Sequence, residues 1–106
     1  MSGYFLSPQA DQHLDDIYEF TARHWSEDQA DSYISTLFDF FGEIAAKNVI
    51  WRSIPAEFGV EGYVAKCNQH IVYWKALGSG ELGIVAVLHE RMHQIDRMRE
   101  IVAQPA

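Results

Sequence analysis

One cysteine, three prolines and eight lysines and arginines among 106 residues exclude a good deal. Cys67 has no partner for an internal disulfide, so the fold does not depend on an oxidising compartment. With so few prolines, and seven glycines, there is no collagen-like or low-complexity stretch. No apolar run approaches the roughly 18–20 residues needed to span a bilayer. The opening MSGYFLSPQADQHLDD lacks a basic start followed by a long apolar stretch, so no secretory signal is expected and a cytoplasmic location is the simplest expectation. The shortage of bases against fifteen acids leaves a net charge of −7. That argues against a protein that coats duplex DNA electrostatically, which needs a basic footprint.

What is present is the composition of an ordinary globular chain, 48% hydrophobic and 22% charged, with a length suited to one domain over residues 1–106. The charge is unevenly placed. Residues 1–45 hold nine acids against one base, Arg23, whereas residues 46–106 hold six acids and seven bases. A partner of either sign could therefore meet the second half locally.

Gly3-Tyr4-Phe5-Leu6 reads as a first strand. Ser7-Pro8 then punctuates, Ser as a helix N-cap and Pro at the first helical position. Ala10, Leu14, Ile17, Tyr18, Thr21 and Trp25 follow at spacings of three and four, predicting an amphipathic helix whose outer face carries Asp11, Asp15, Asp16 and Glu19. Ser26-Glu27-Asp28-Gln29 reads as a capping box opening a second helix with Ala30, Tyr33, Ile34, Leu37, Phe38, Phe41, Ile44 and Ala45 on its apolar side. So short a connection predicts an antiparallel helix hairpin. Residues 50–61, with Pro55 and Gly59, read as a long connection. Residues 63–67, 70–77 and 82–89 are rich in β-formers and separated by Asn68-Gln69 and by Gly78-Ser79-Gly80, predicting an antiparallel meander. Residues 92–102 read as a short helix or arm. The predicted class is α+β: an N-terminal strand and a two-helix hairpin packed on a mostly antiparallel sheet of three to four strands.

His89-Glu90-Arg91-Met92-His93 matches H-E-x-x-H, the zinc metalloprotease pattern. That chemistry needs a helix, which brings histidines four apart onto one face with Glu to activate water. Here the motif continues the strand-like Ile84–Leu88 run, and on an extended chain the two histidines would lie roughly 13 Å apart. The preferred reading is two surface histidines at a strand end and in a turn, with no metal site and no cofactor. The acids on the first helix read as a solvated face. Cys67, on a strand with His70 three residues on, reads as a buried, inert thiol, not a nucleophile. Trp51, Tyr73 and Trp74 suit core or interface packing better than base stacking. Residue chemistry alone leaves a small α+β domain with its function open.

Three stretches carry a resemblance. Leu6-Ser7-Pro8-Gln9-Ala10 with Leu14, Ile17 and Tyr18, then Gln69-His70-Ile71-Val72-Tyr73-Trp74-Lys75, then Val87-Leu88-His89-Glu90-Arg91-Met92 stand in the order and spacing of the RelE/ParE toxin superfamily. They resemble its ParE branch most, over nearly the whole chain. The chain departs from that pattern at Gly62-Tyr63, where many members have Leu-Arg, at Trp74, where Tyr is usual, and at His93, where Asp is usual. The resemblance implies the toxin of a type II toxin–antitoxin pair, forming a hetero-oligomer with a ParD-like antitoxin whose C-terminal segment wraps it. It also implies DNA gyrase as the target, inhibited by binding, so that no catalytic residue, membrane contact or sequence-specific nucleic-acid binding by the toxin alone is expected. Lys66, Trp74, Lys75, His89, Arg91 and Met92 are the expected contacts with target or antitoxin. The antitoxin is expected on the sheet and the helix-hairpin groove, and the target near the meander and C-terminal arm. The rival within the superfamily is a RelE-like ribosome-dependent mRNA endonuclease, which would draw on Lys66, Lys75, Arg91, Arg97 and Arg99 with Tyr63 or Tyr73. A third reading is a non-catalytic interaction module on the same scaffold.

Overall fold

The computed structural model describes residues 3–78 and 80–103, so Ser79 of the expected Gly78-Ser79-Gly80 reversal and the ends of the 1–106 span lie outside the described residues. Strand β1 (Tyr4–Leu6) leads into helix α1 (Pro8–His24) and helix α2 (Glu27–Ala45). A two-residue strand β2 (Arg52–Ser53) and a 3-10 turn (Ala56–Phe58) precede β3 (Tyr63–Cys67), β4 (His70–Ala76), β5 (Leu82–His89) and helix α3 (Gln94–Ala103). The sheet has five strands in the order β1-β5-β4-β3-β2. All neighbours are antiparallel except β1, which runs parallel to β5. The class is α+β, as expected. The long connection hides an edge strand and a 3-10 turn, and the expected C-terminal helix or arm is a helix.

Both helix starts form as their residues dictate. The Ser7 and Ser26 hydroxyls accept from the Ala10 and Gln29 backbone amides, at 3.0 Å each, satisfying amides that have no partner within their helices. Tyr18 donates to Asp31 across the hairpin at 2.9 Å. Side chains alternate across the sheet, so each strand supplies two cores. On one face Ala65, Cys67, Val72, Trp74, Ile84 and Val87 pack under Ala10, Leu14, Leu37, Phe41 and Ile44 of the hairpin. On the other, Val64, Tyr73, Ala86 and Leu88 are covered by Ile54, Phe58, and Met98 and Ile101 of α3.

The β4–β5 register contains a bulge. Tyr73 faces Ala86 but Trp74 faces Ile84, which leaves Val85 as an extra residue on β5. β1 pairs only with Leu82–Ile84, so the rest of β5 has no neighbouring strand on that side. Ser7 fills the first gap: its amide donates to the Ile84 carbonyl and its hydroxyl to the Val85 carbonyl, at 2.9 Å each. His13 of α1 fills the next, its Nδ1 accepting from the Val87 amide at 3.2 Å. Helix α1 is thus fastened to the strand by side chains where β1 runs out.

At the β2 end, Gly62 has φ +145°, and a Cβ there would stand 2.6 Å from the Trp74 carbonyl oxygen, so only glycine passes.

Ser7 caps a helix and also closes the bulge, whereas Ser26 is seen only capping. Replacing Ser26 by alanine is expected to cost about 1 kcal/mol, and Ser7→Ala about 2–3 kcal/mol because a carbonyl is orphaned as well. Urea unfolding of the two variants checks this, and equal losses would show that the Val85 bond carries no weight.

Candidate functional site

The second half of β5, α1, the β3–β4 turn and α3 enclose an open groove of about 1520 Å³. From α1 come Gln12, His13, Asp16, Ile17, Phe20 and Thr21, with Trp25 just past its end. Tyr33 reaches in from α2, Gln69 and His70 from the turn, His89, Arg91 and Met92 from the end of β5, and Arg97, Glu100 and Ile101 from α3. Trp25 is 69% exposed, Phe20 58% and Met92 40%, and large apolar side chains left in water at one concavity are unusual for a finished surface.

Three histidines on three different elements line this groove, each with its Nδ1 occupied. His13 accepts from the Val87 amide, and His89 accepts from the Arg91 amide at 3.1 Å. His70 Nδ1 lies 2.6 Å from the Tyr33 hydroxyl. An imidazole accepting at Nδ1 keeps its proton on Nε2, as His13 does beside the Val87 amide. Burial pushes His70, only 8% exposed, down to about 4, with the adjacent His89 adding to the effect and Glu90 opposing it. Burial also lowers His13; Asp16 works against that shift and Arg97 with it.

The cations are less engaged than the imidazoles. Among the described residues Arg97 pairs only loosely, with Glu100 at 3.8 Å. Asp16 and Glu100 set two carboxylates against Arg91 and Arg97 in the lining, and Asp16 also accepts from Gln12 Nε2 at 2.9 Å. Lys66 reaches Glu90 at 2.7 Å, and this hydrogen bond holds the Glu90 carboxyl below its usual range.

The turn that presents Arg91 and Met92 is held by one amide side chain. Gln94 Nε2 donates to the His89 and Met92 carbonyls at 2.8 and 3.0 Å, while its Oε1 accepts from the Tyr73 hydroxyl at 2.7 Å. Tyr73 is buried and its phenol is pushed up to about 12, chiefly by burial. It is a structural donor and cannot release a proton near neutrality.

Of the residues expected as contacts, His89, Arg91 and Met92 come together in the groove, and Lys66 adjoins it through Glu90. Trp74, 5% exposed, belongs to the core under the helix hairpin and offers no contact surface. Lys75 is exposed, paired with Gly83 at the far end of β4. His13, Phe20, Trp25, Tyr33 and His70 complete the groove without having been picked out from the sequence as contacts, and Arg97, named there only for the endonuclease reading, joins them. The H-E-x-x-H stretch begins on the last residue of β5 and continues as a turn, with helix only from Gln94. With its Nδ1 holding a backbone amide, His89 would give up that bond to ligate through Nδ1, or its Nε2 proton to ligate there. No group of three His, Cys, Asp or Glu among the described residues is placed to hold a metal ion. Cys67 is buried, which raises its thiol above the ordinary value and keeps it protonated. No helix among the described residues is long and apolar enough to cross a membrane.

Comparison with known proteins places this arrangement. Residues 4–94 match the ParE toxin of type II toxin–antitoxin system family. The chain is 33% identical over 96 residues to Toxin ParE1 of Mycobacterium tuberculosis, covering 91% of this chain and 96% of that protein. It is 28% identical over 100 residues to Toxin ParE of Escherichia coli, covering 94% and 96%. A chain of the chromosomal ParDE toxin–antitoxin system from P. aeruginosa superposes with a TM-score of 0.68 at 14% identity, over 84% of this chain and 96% of that one, which shows a shared fold.

The lowered values of His13 and His70 make the protein acid-sensitive. A folded-state value below the unfolded 6.5 means that the native state resists the proton. The stability so gained is complete above about pH 6.5 and is lost as pH falls towards 4. For His70 alone the drop from 6.5 to about 4 is worth on the order of 3 kcal/mol. Unfolding free energies measured from pH 7 to pH 4 should fall less for His70→Gln than for the unsubstituted chain, and parallel curves would remove His70 as the cause.

Proposed function

The chain belongs to the ParE toxin family of type II toxin–antitoxin systems, and from that premise we propose that it acts by occupying partners, not by breaking bonds. The proposed target is DNA gyrase in the cytoplasm, and the proposed neutralising partner is a ParD-like antitoxin that lies along the groove and forms a hetero-oligomer with the toxin. The observation that carries this reading is the groove itself: exposed Phe20, Trp25 and Met92 beside donor groups is a surface for a polypeptide to cover.

Three of the groups that RNA cleavage would draw on are committed elsewhere, which weighs against the endonuclease reading. Lys66 is paired with Glu90, Arg99 donates to the Glu57 carbonyl at 3.0 Å, and the Tyr73 phenol is committed to Gln94. A general acid must reach its substrate and titrate near the working pH, and buried Tyr73 does neither.

Expression of the chain alone should arrest growth with filamentation and DNA-damage signalling, and the purified protein should inhibit gyrase supercoiling. Co-expression of a ribbon-helix-helix protein encoded beside it should relieve the arrest and co-purify. Normal supercoiling in excess toxin would remove gyrase as the target. Cut mRNA on translating ribosomes, reduced by Lys66→Ala or Arg91→Ala, would instead establish the endonuclease.

A further inference from the structure

The wall between α1 and β5 turns on one bond. Ser7 holds the start of the helix to Ile84 and Val85 through groups that do not titrate, whereas His13 holds it to the Val87 amide through an imidazole that does. Past that point the helix is lightly seated. Its two fully buried residues, Ala10 and Leu14, lie in its first half, and beyond them Ile17 packs partly against the core. Tyr18, further along, is bonded to Asp31 of α2 and not to the sheet. The His13 ring also has a second place to go. Asp16, one turn along the same helix, favours its charged form, while burial and Arg97 of α3 oppose it. The other titratable or charged groups sharing the groove are His89 and Arg91 at the end of β5, Glu100 of α3, His70 of β4 and Tyr33 of α2.

We propose that the His13–Val87 bond is a latch released by acid: protonation of the imidazole frees the far half of α1 from β5 and widens the groove. An imidazole protonated on both nitrogens donates from both, so it meets the Val87 amide donor to donor and cannot hold it. The charged ring turns to Asp16, and the amide is left to water. Val87 is 2% exposed, which leaves no room for that water until the wall moves. The neutral ring is the bonded one. The latch is therefore closed above the folded-state value of His13, which burial holds below 6.5, and opens as pH falls through it. The other histidines do not act in this way. The Tyr33 hydroxyl can turn from donor to acceptor when His70 takes a proton, and His89 bonds an amide within its own turn. The latch is a property of the wall and does not depend on what the groove holds.

Amide hydrogen exchange followed by NMR on the full-length protein tests this. The protection factor of Val87, which removes the intrinsic pH dependence of exchange, should fall at least about tenfold between about pH 7 and about pH 5, while the amides of β4 keep theirs. Residual dipolar couplings of amides 15–24 should show the far half of α1 tilting against β4 and β5 over the same range. His13→Asn keeps an acceptor oxygen near the Nδ1 position and does not titrate, so its Val87 protection and helix orientation should stay level. Asp16→Asn removes the carboxylate that draws the charged ring, and should move the midpoint to lower pH. Asp16 is exposed, so this second variant leaves the core intact should His13→Asn fail to fold. Level Val87 protection in the unsubstituted chain, an equal fall in His13→Asn, or a midpoint unmoved in Asp16→Asn would each overturn the latch. So would protection lost across the whole sheet at once, or lost at Val87 with α1 unmoved.

Discussion

Strand β5 is longer than the strand that covers its outer edge, and the architecture of the site follows from how that deficit is met. β1 spans three residues, and past Ile84 the backbone groups of β5 would face a gap. Buried peptide groups cannot be left unpaired without a cost of a few kcal/mol each, so side chains must take over. Ser7 answers the bulged Val85 carbonyl and His13 answers the Val87 amide, and both belong to the cap and second turn of α1. The helix is therefore held at a fixed offset from the strand, with the remaining space open as the groove. The same requirement fixes the chemistry of that space, because an imidazole that must accept a backbone proton cannot carry its own there.

The other wall is positioned with comparable economy. Gln94 joins the buried Tyr73 phenol to two carbonyls of the 89–92 turn, so the first residue of α3, the centre of the sheet and the turn bearing Arg91 and Met92 move together. Beyond this link α3 is held by buried Met98, by partly buried Ile95 and Ile101, and by Arg99 donating to the Glu57 carbonyl. Loss of the Gln94 bonds would be felt first in the placement of the turn, and only secondarily in the core.

Local physics was legible in the amino-acid order and long-range geometry was not. Ser7-Pro8 and Ser26 announced both helix starts, and Asn68, whose φ of 55° suits a tight reversal, marked the β3–β4 turn. β2 escaped notice because two exposed residues carry no periodicity. The parallel pairing of β1 with β5 joins segments nearly eighty residues apart, and no local signal encodes it. Trp74 and Trp25 show how residue type misleads about exposure. Trp74 was an expected contact and is core, while Trp25, counted in the apolar stripe of α1, falls past the helix end and stands in water. His13 and His70 were inconspicuous because their importance lies in what their Nδ1 atoms meet across the fold.

The uneven charge acquires a physical meaning once the groove is placed. Eight of the nine acids in residues 1–45 lie on exposed positions of α1 and α2 outside the groove, and the ninth, Asp16, lines it while bonded to Gln12. The groove itself is close to balanced, with Asp16 and Glu100 set against Arg91 and Arg97. Screening decides how far the hairpin charge is felt there. At physiological salt the Debye length is about 8 Å, so helix carboxylates farther than that from the groove are muted, whereas the exposed rings of Phe20 and Trp25 act at contact and are not screened. Repulsion by the hairpin then discourages polyanions over the rest of the surface without deciding what the groove itself holds.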